Sequence, residues 1–486
     1  MPSKKPWLEQ VLYVMWVLTA LILSFSFLSA DIFLNKAKKV LNLSGVEDRI
    51  KELKNPSSPA NGEEEPIDAR VTVKKNPDGT WQLFVDDKPF FIKGMIFNPA
   101  KIGEDPGIPN LRDWMLYDDN ANSTNDIAFE TWVDTNLNNI KDATEPLVGD
   151  FQLLKDMGCN TIRLYHVPSD NPILGNIYKI EPGVQLQYDH AVNKSLLRKL
   201  YNDYGIMVIM SHFLGSWTIG AGVSWAEGCD YTNSTHRENI KTSVRAMVLD
   251  NKDEPYVLMW LLGNENNIAD FSKCNAVQHP VAYAQLIGEL ARMIKEIDPH
   301  HPVAVCDGDG YRWFADPFNT LREYPDYAQA VDIVAFNSYH GSNGFNPYIC
   351  SNVKYTFDRP IFYSEYGMFA YDNNVGYDEM LQKKYHTNYW KDIVLQSASN
   401  LNIPQEQYGN CIGGVVFDWC DRWHMDGNPW AHDVSTNPAT YSPDGLRHEE
   451  WFGVTSMGIG SDTLMRQKRS AYDYYKNVWN RTNLTY

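Results

Sequence analysis

The chain has 486 residues, 43% of them hydrophobic and 13% aromatic, enough to bury a large core, which excludes general disorder. A formal net charge of −18 argues against a nucleic acid partner, because displacing the counterions of a phosphate backbone needs clustered Lys and Arg. Seven scattered cysteines without a CxxC pair indicate neither a zinc ribbon nor a disulfide-dense scaffold.

Behind Lys4 and Lys5, residues 11–30 form an unbroken run of apolar or small side chains. That run is a full bilayer span and is longer than the apolar region of a signal peptide. Leu28 stands where a signal peptidase wants a small residue, so an uncleaved anchor is expected rather than a cleaved signal. Lysines flank both ends (Lys36, Lys38 and Lys39 follow), and charge alone leaves the orientation open. Residues 1–31 are read as a cytoplasmic tip and transmembrane anchor, and 32–69 as a stalk whose segment 55–66 is rich in Pro, Ser and Glu. The globular part, 70–486, opens with strands at 71–73 and 81–85 around the turn Asn76-Pro77-Asp78-Gly79. This hairpin is expected to plug the bottom of a barrel.

Eight strand candidates follow, at 90–97, 161–166, 207–212, 257–263, 303–307, 333–337, 361–364 and 413–419. Unbroken apolar runs such as Val257-Leu258-Met259-Trp260-Leu261-Leu262 are the mark of parallel strands covered on both faces. Helix-length segments lie between them, at 149–157, 195–204 and 282–297 among others. Strand and helix alternating eight times predict an α/β fold, the (β/α)8 TIM barrel. On that count Glu265, in Gly263-Asn264-Glu265, ends strand 4, and Glu365, in Ser364-Glu365-Tyr366-Gly367, ends strand 7. Two carboxylates at the carboxyl ends of barrel strands are the minimum equipment for hydrolysing a glycosidic bond.

Those two motifs resemble the signatures of the clan A glycoside hydrolases, whose acid/base follows strand 4 and whose nucleophile follows strand 7. The likeness is nearest to the family 2 catalytic barrel. Phe90-Phe91-Ile92-Lys93-Gly94, Asn160-Thr161-Ile162-Arg163, Trp451-Phe452-Gly453 and the segment 469–472 also match it. A weaker similarity, to fungal β-1,3-glucanosyltransferases, runs through the same segments. The resemblance implies that Glu265 is the general acid/base and Glu365 the nucleophile of a retaining double displacement. It implies further that Arg163 is the cation beside Glu365, Tyr339 the phenol hydrogen-bonded to it, and Asn264 the group that grips the sugar 2-hydroxyl. His166, His212, Asn337 and Trp419, also at strand ends, are expected to contact the sugar.

Residues 134–145 place Asp134, Asn136, Asn138, the Ile140 carbonyl, Asp142 and Glu145 at the ligand positions of an EF-hand loop, with Asn139 where that loop wants Gly. A structural calcium ion is the expectation, and no cofactor is needed for catalysis. Residues 421–457, with Trp423, His424, Trp430, His432, Tyr441, His448 and Trp451, form a long loop expected to wall the aglycone subsites. Cys229 and Cys274, in polar loops, would bridge if the domain faces an oxidising compartment. The resulting expectation is a membrane-anchored, extracytoplasmic O-glycosyl hydrolase or transglycosylase acting on a β-linked oligo- or polysaccharide. A catalytically silent glycan-binding or envelope protein on the same barrel is the alternative.

Overall fold

A computed structural model describes residues 70–104, 114–165, 178–181, 184–186, 192–268, 272–309, 330–345, 348–398, 408–458 and 462–481. The chain divides between Ile67 and Asp68. The expected anchor and stalk therefore lie outside the described residues. Among the described residues no helix is long and apolar enough to cross a membrane.

Eight strands close a barrel: β1 (Ile92–Ile96), β2 (Thr161–Leu164), β3 (Met207–His212), β4 (Val257–Leu262), β5 (Val303–Gly308), β6 (Ile333–Asn337), β7 (Ile361–Tyr366) and β8 (Cys411–Val416). Every neighbouring pair is parallel, and β8 returns to β1. All six residues of β3 and of β4 are buried, since one face fills the barrel and the other meets the helices.

The outer layer contains α1 (Asp150–Met157), α2 (Lys194–Tyr204), α3 (Ser234–Asn251), α4 (Pro280–Ile297), α5 (Tyr348–Phe357), α6 (Glu379–Leu395) and α7 (Ser470–Trp479). Local sequence sets their ends. Asn193 and Asn233 cap α2 and α3 by accepting first-turn N–H groups, and α1 and α2 stop at left-handed Gly158 and Gly205. Pro280 opens α4, whose buried Tyr283, Leu286, Ile287, Leu290, Ala291 and Ile294 recur every three or four residues along one face.

The expected hairpin gains a third strand, so Val71–Lys75, Trp81–Val85 and Lys88–Phe90 form an antiparallel sheet. Val71 N donates to His300 O and Trp81 N to Gly409 O, while the Trp81 indole donates to Asp358 Oδ1 at 3.2 Å. These partners precede β5, β8 and β7, so the sheet closes the amino end of the barrel and leaves the carboxyl end for chemistry. The C-terminal segment is tied in by two fully buried ion pairs. Arg466 grips Asp150 with two bonds of 2.9 Å, and Arg469 grips Asp421 with two of 2.7 Å.

Candidate active site

Gly263 follows β4 with a φ of +84°, and Glu265 itself is left-handed at +54°. A non-glycine residue there costs about 1–2 kcal/mol. The asparagines around it hold the turn. Asn266 Oδ1 accepts Asn264 N at 2.7 Å while its Nδ2 donates to Phe213 O, and Asn267 exchanges two 2.7 Å bonds with the Gly308 backbone at the end of β5. The segment Asn264-Glu265-Asn266-Asn267 is thus a self-braced elbow that aims Glu265 at the barrel axis.

Arg163 is fully buried on β2 and spreads its guanidinium across the barrel. Nη1 donates to Glu365 Oε1 (3.2 Å), Asn337 Oδ1 (3.2 Å) and Ser364 O (3.0 Å). Nη2 donates to Asn264 Oδ1 (2.6 Å) and Nε to Ser211 Oγ (3.3 Å). Glu365, on β7, also accepts from the Tyr165 hydroxyl at Oε1 and from the Tyr339 hydroxyl at Oε2, the latter at 2.9 Å. Asn337, on β6, links the two glutamates. Its Nδ2 donates to Glu265 Oε1 and to Asn264 Oδ1, both at 3.1 Å, and its Oδ1 takes the Arg163 bond.

Burial, and then the charge of Glu365, push the Glu265 carboxyl up to about 8, so it carries a proton at neutral pH. Burial and the neighbouring Glu365 push the Tyr165 and Tyr339 phenols well above their usual range, which keeps both as O–H donors. The arrangement is a protonated acid beside a carboxylate held by one cation and two phenols.

The loop after β8 reaches the same place. Tyr441 stacks on Tyr339 at 5.5 Å between centroids, and Phe417 and Phe452 pack edge-on against that ring. Arg422 lies over the Tyr165 ring at 5.2 Å and pairs with Asp418. Arg447 and Glu449 form an ion pair of 3.1 Å whose charges act on Glu265.

Arg163, Asn264, Asn337, Tyr339, Glu265 and Glu365 are therefore brought together, and His166 lies outside the described residues. Two expectations are corrected. His212 is fully buried, with its ring nitrogens on Ser243 Oγ and the Leu214 amide. It follows Ser211, which points inward to Arg163, and successive strand residues face opposite sides. Trp419 is fully buried against Phe97 and Tyr472 with its indole N–H on Asp150, so it offers no ring face to a sugar. Tyr165 was missed by the sequence reading. It lies two residues after Arg163, on the same side of the strand by alternation, and that was the available signal.

The expected calcium ligands are hydrogen-bonded to one another and to the backbone of their own loop. Asp134 accepts from Asn138 N, Asn139 N and Gln467 Nε2, and Glu145 accepts the Thr135 N–H and O–H and the Asp142 N–H. The amides of Asn136 and Asn138 turn to Asp142, and the exposed Ile140 gives its N–H to Asn138 Oδ1. N–H groups thus satisfy these oxygens. Among the described residues no three His, Cys, Asp or Glu side chains form a group that could hold a metal.

Residues 188–423 match the family model described as glycosyl hydrolases family 2, TIM barrel domain. A putative beta-glucuronidase of Formosa agariphila is 20% identical over 355 residues, covering 69% of this chain and 35% of that protein. The beta-glucuronidase of Felis catus is 24% identical over 285 residues, covering 57% and 35%. The chain thus spans 35% of the length of these curated relatives. Among solved structures, the beta-D-glucuronidase of Dictyoglomus thermophilum aligns with a TM-score of 0.46 at 16% identity, over 85% of this chain and 54% of that one.

Proposed function

We propose that this chain, a clan A glycoside hydrolase close to the family 2 catalytic domain, cleaves β-glycosides with retention. Glu365 attacks the anomeric carbon while Glu265 protonates the departing oxygen, and water or an acceptor sugar, activated by the deprotonated Glu265, then releases the glycosyl-enzyme. The observation that carries the reading is the contrast between the proton-bearing Glu265 and the Glu365 carboxylate held by Arg163, Tyr165 and Tyr339. Asn264 spends its oxygen on Arg163 and Asn337, which leaves its N–H groups to face a sugar hydroxyl. Hydrolysis and transglycosylation share the covalent intermediate and differ only in the acceptor.

The full-length chain is to be tested on a panel of aryl β-glycosides and β-linked oligosaccharides, β-glucuronides first because of the relatives' names. Release with retained configuration is expected. Glu365→Ala should lower kcat about 10⁴-fold or more, with azide restoring turnover as the inverted product. Full activity in that variant, or inverted product from the unaltered enzyme, would end this reading.

The reading extends to an N-terminal anchor that places the barrel outside the cytoplasm, supported by the apolar run at 11–30. Release of the protein from membranes by alkaline carbonate would count against it. It also includes a structural calcium ion at residues 134–145, supported by the ligand spacing and by the left-handed Asn139 (φ +61°) where an EF-hand has Gly. Asp134 Oδ1 and Glu145 Oε2 each accept a single N–H, which leaves each of them a lone pair for the ion. A melting temperature raised by calcium and lowered by a chelator is expected, and an unchanged melt removes the ion.

A further inference from the structure

Cys229 and Cys274 stand in the loops that follow β3 and β4. We infer that they form a disulfide that staples the loop after β3 to the elbow carrying Glu265. The backbone already aligns them. Cys229 N donates to Lys273 O at 2.9 Å and Asn275 N donates to Cys229 O at 3.1 Å, so the two cysteines face each other as a parallel bridge pair. In such a pair the two side chains leave the backbone on the same side of the ladder. Around the bridge, Trp217 N donates to Ser272 O, Tyr231 N to Asn275 Oδ1 and Asn275 Nδ2 to Asp230 Oδ1. The two loops are therefore in register without help from the sulfurs.

The Cys274 thiol meets Ser272 Oγ at 3.2 Å and donates to Asn266 O at 3.3 Å, and its charge acts on Cys229. Gly215, at φ +86°, leaves space for the Cys229 sulfur, because a Cβ there would lie 2.4 Å from Sγ. The Tyr231 hydroxyl donates to Leu214 O and accepts from Asn266 Nδ2, and Asn266 Oδ1 holds the amide of Asn264. Through Asn266, Cys274 thus lies two hydrogen bonds from the residue that precedes the acid/base.

Both cysteines are thiols here and both are buried, and burial pushes both thiols up, so the folded pair reacts slowly. The bond belongs to folding, while the loops are still open. A thiolate of one cysteine attacks glutathione disulfide and expels one glutathione thiolate, and the second cysteine thiolate displaces the other glutathione. The two cysteines lose two electrons and two protons, and one glutathione disulfide becomes two glutathione thiols. The bond closes a loop of about 45 residues, long enough to restrict the unfolded chain substantially.

The full-length chain, in mild detergent, is to be refolded in a glutathione redox buffer, alkylated and digested without reduction. The expected product is one linked peptide pair containing Cys229 and Cys274, lighter than the reduced pair by two hydrogens, with Cys159, Cys306 and Cys420 alkylated. Melting should fall by about 5 °C on reduction. Cys229→Ser and Cys274→Ser should each lose that response to reductant. Recovery of Cys229 and Cys274 as alkylated thiols after oxidative refolding would overturn the inference. So would a link between Cys350 and Cys411 without one between Cys229 and Cys274. A single-cysteine variant whose melting responds to reductant as strongly as the parent would overturn it as well. None of these readouts depends on turnover, so failure of the glycosidase reading would leave them interpretable.

Discussion

Arg466 and Arg163 are both fully buried and both reach a buried carboxylate, yet they hold it differently. Arg466 closes on Asp150 with two matched bonds of 2.9 Å, and the remaining acceptor capacity of that carboxylate goes to Trp419 and Thr131. Arg163 gives Glu365 one bond of 3.2 Å and divides its other donors among Asn337, Asn264, Ser364 and Ser211. A bidentate pair with all lone pairs engaged is a structural clasp. A cation shared over several neutral acceptors fixes the geometry and leaves the carboxylate accessible to a reacting atom. The second arrangement belongs at the open end of the barrel, and the first ties the C-terminal segment to α1.

Of the changes that test this comparison, breaking the clasp should have the largest effect. Arg466→Met strands Asp150 in the interior and should cost about 3–5 kcal/mol in a urea titration. The folded fraction should keep near-parental kcat. Loss of kcat without loss of stability would mean that the two arginines do not differ as described.

Next comes the phenol that only the active-site pair employs. Tyr165→Phe removes one O–H donor from Glu365 without emptying the space, and kcat/KM should fall about 10- to 100-fold, or about 1.4–2.7 kcal/mol, with the melting temperature almost unchanged. An unaltered kcat/KM would show that Arg163 and Tyr339 suffice.

The smallest effect lies in the pH profile. In the proposed mechanism Glu265 donates a proton, and its carboxyl is pushed up to about 8, so kcat/KM should fall tenfold per unit as pH rises beyond about 8. Glu265→Gln should abolish that limb for a substrate whose leaving group needs no proton. The sign for stability is the same. The folded state holds this proton between about 4.5 and 8 while the unfolded chain has lost it, so stability falls as pH rises across that window. A limb at the same pH in Glu265→Gln would assign it elsewhere.

Much of the candidate site was legible because polar and charged side chains stand out against buried apolar runs. Arg163, Asn264, Asn337 and Tyr339 follow buried apolar runs in the right order, as do both glutamates. His212 and Trp419 meet the same description and yet face away from the mouth or lie buried, because an unbroken apolar strand carries no alternation to say which side is inside. Tyr165 was legible only after Arg163 had been placed.

The amino-acid sequence by itself determined the eight strands, their order and the carboxylates at the ends of β4 and β7, since these follow from hydrophobic runs and local motifs. Closure of the barrel decided the rest. It selected the inward phase of each strand, set Asn337 between the glutamates, brought the post-β8 aromatics over Tyr339 and joined the loops of Cys229 and Cys274. Those contacts connect residues far apart in the chain, and only the packing of all eight strands around one axis brings them within bonding distance.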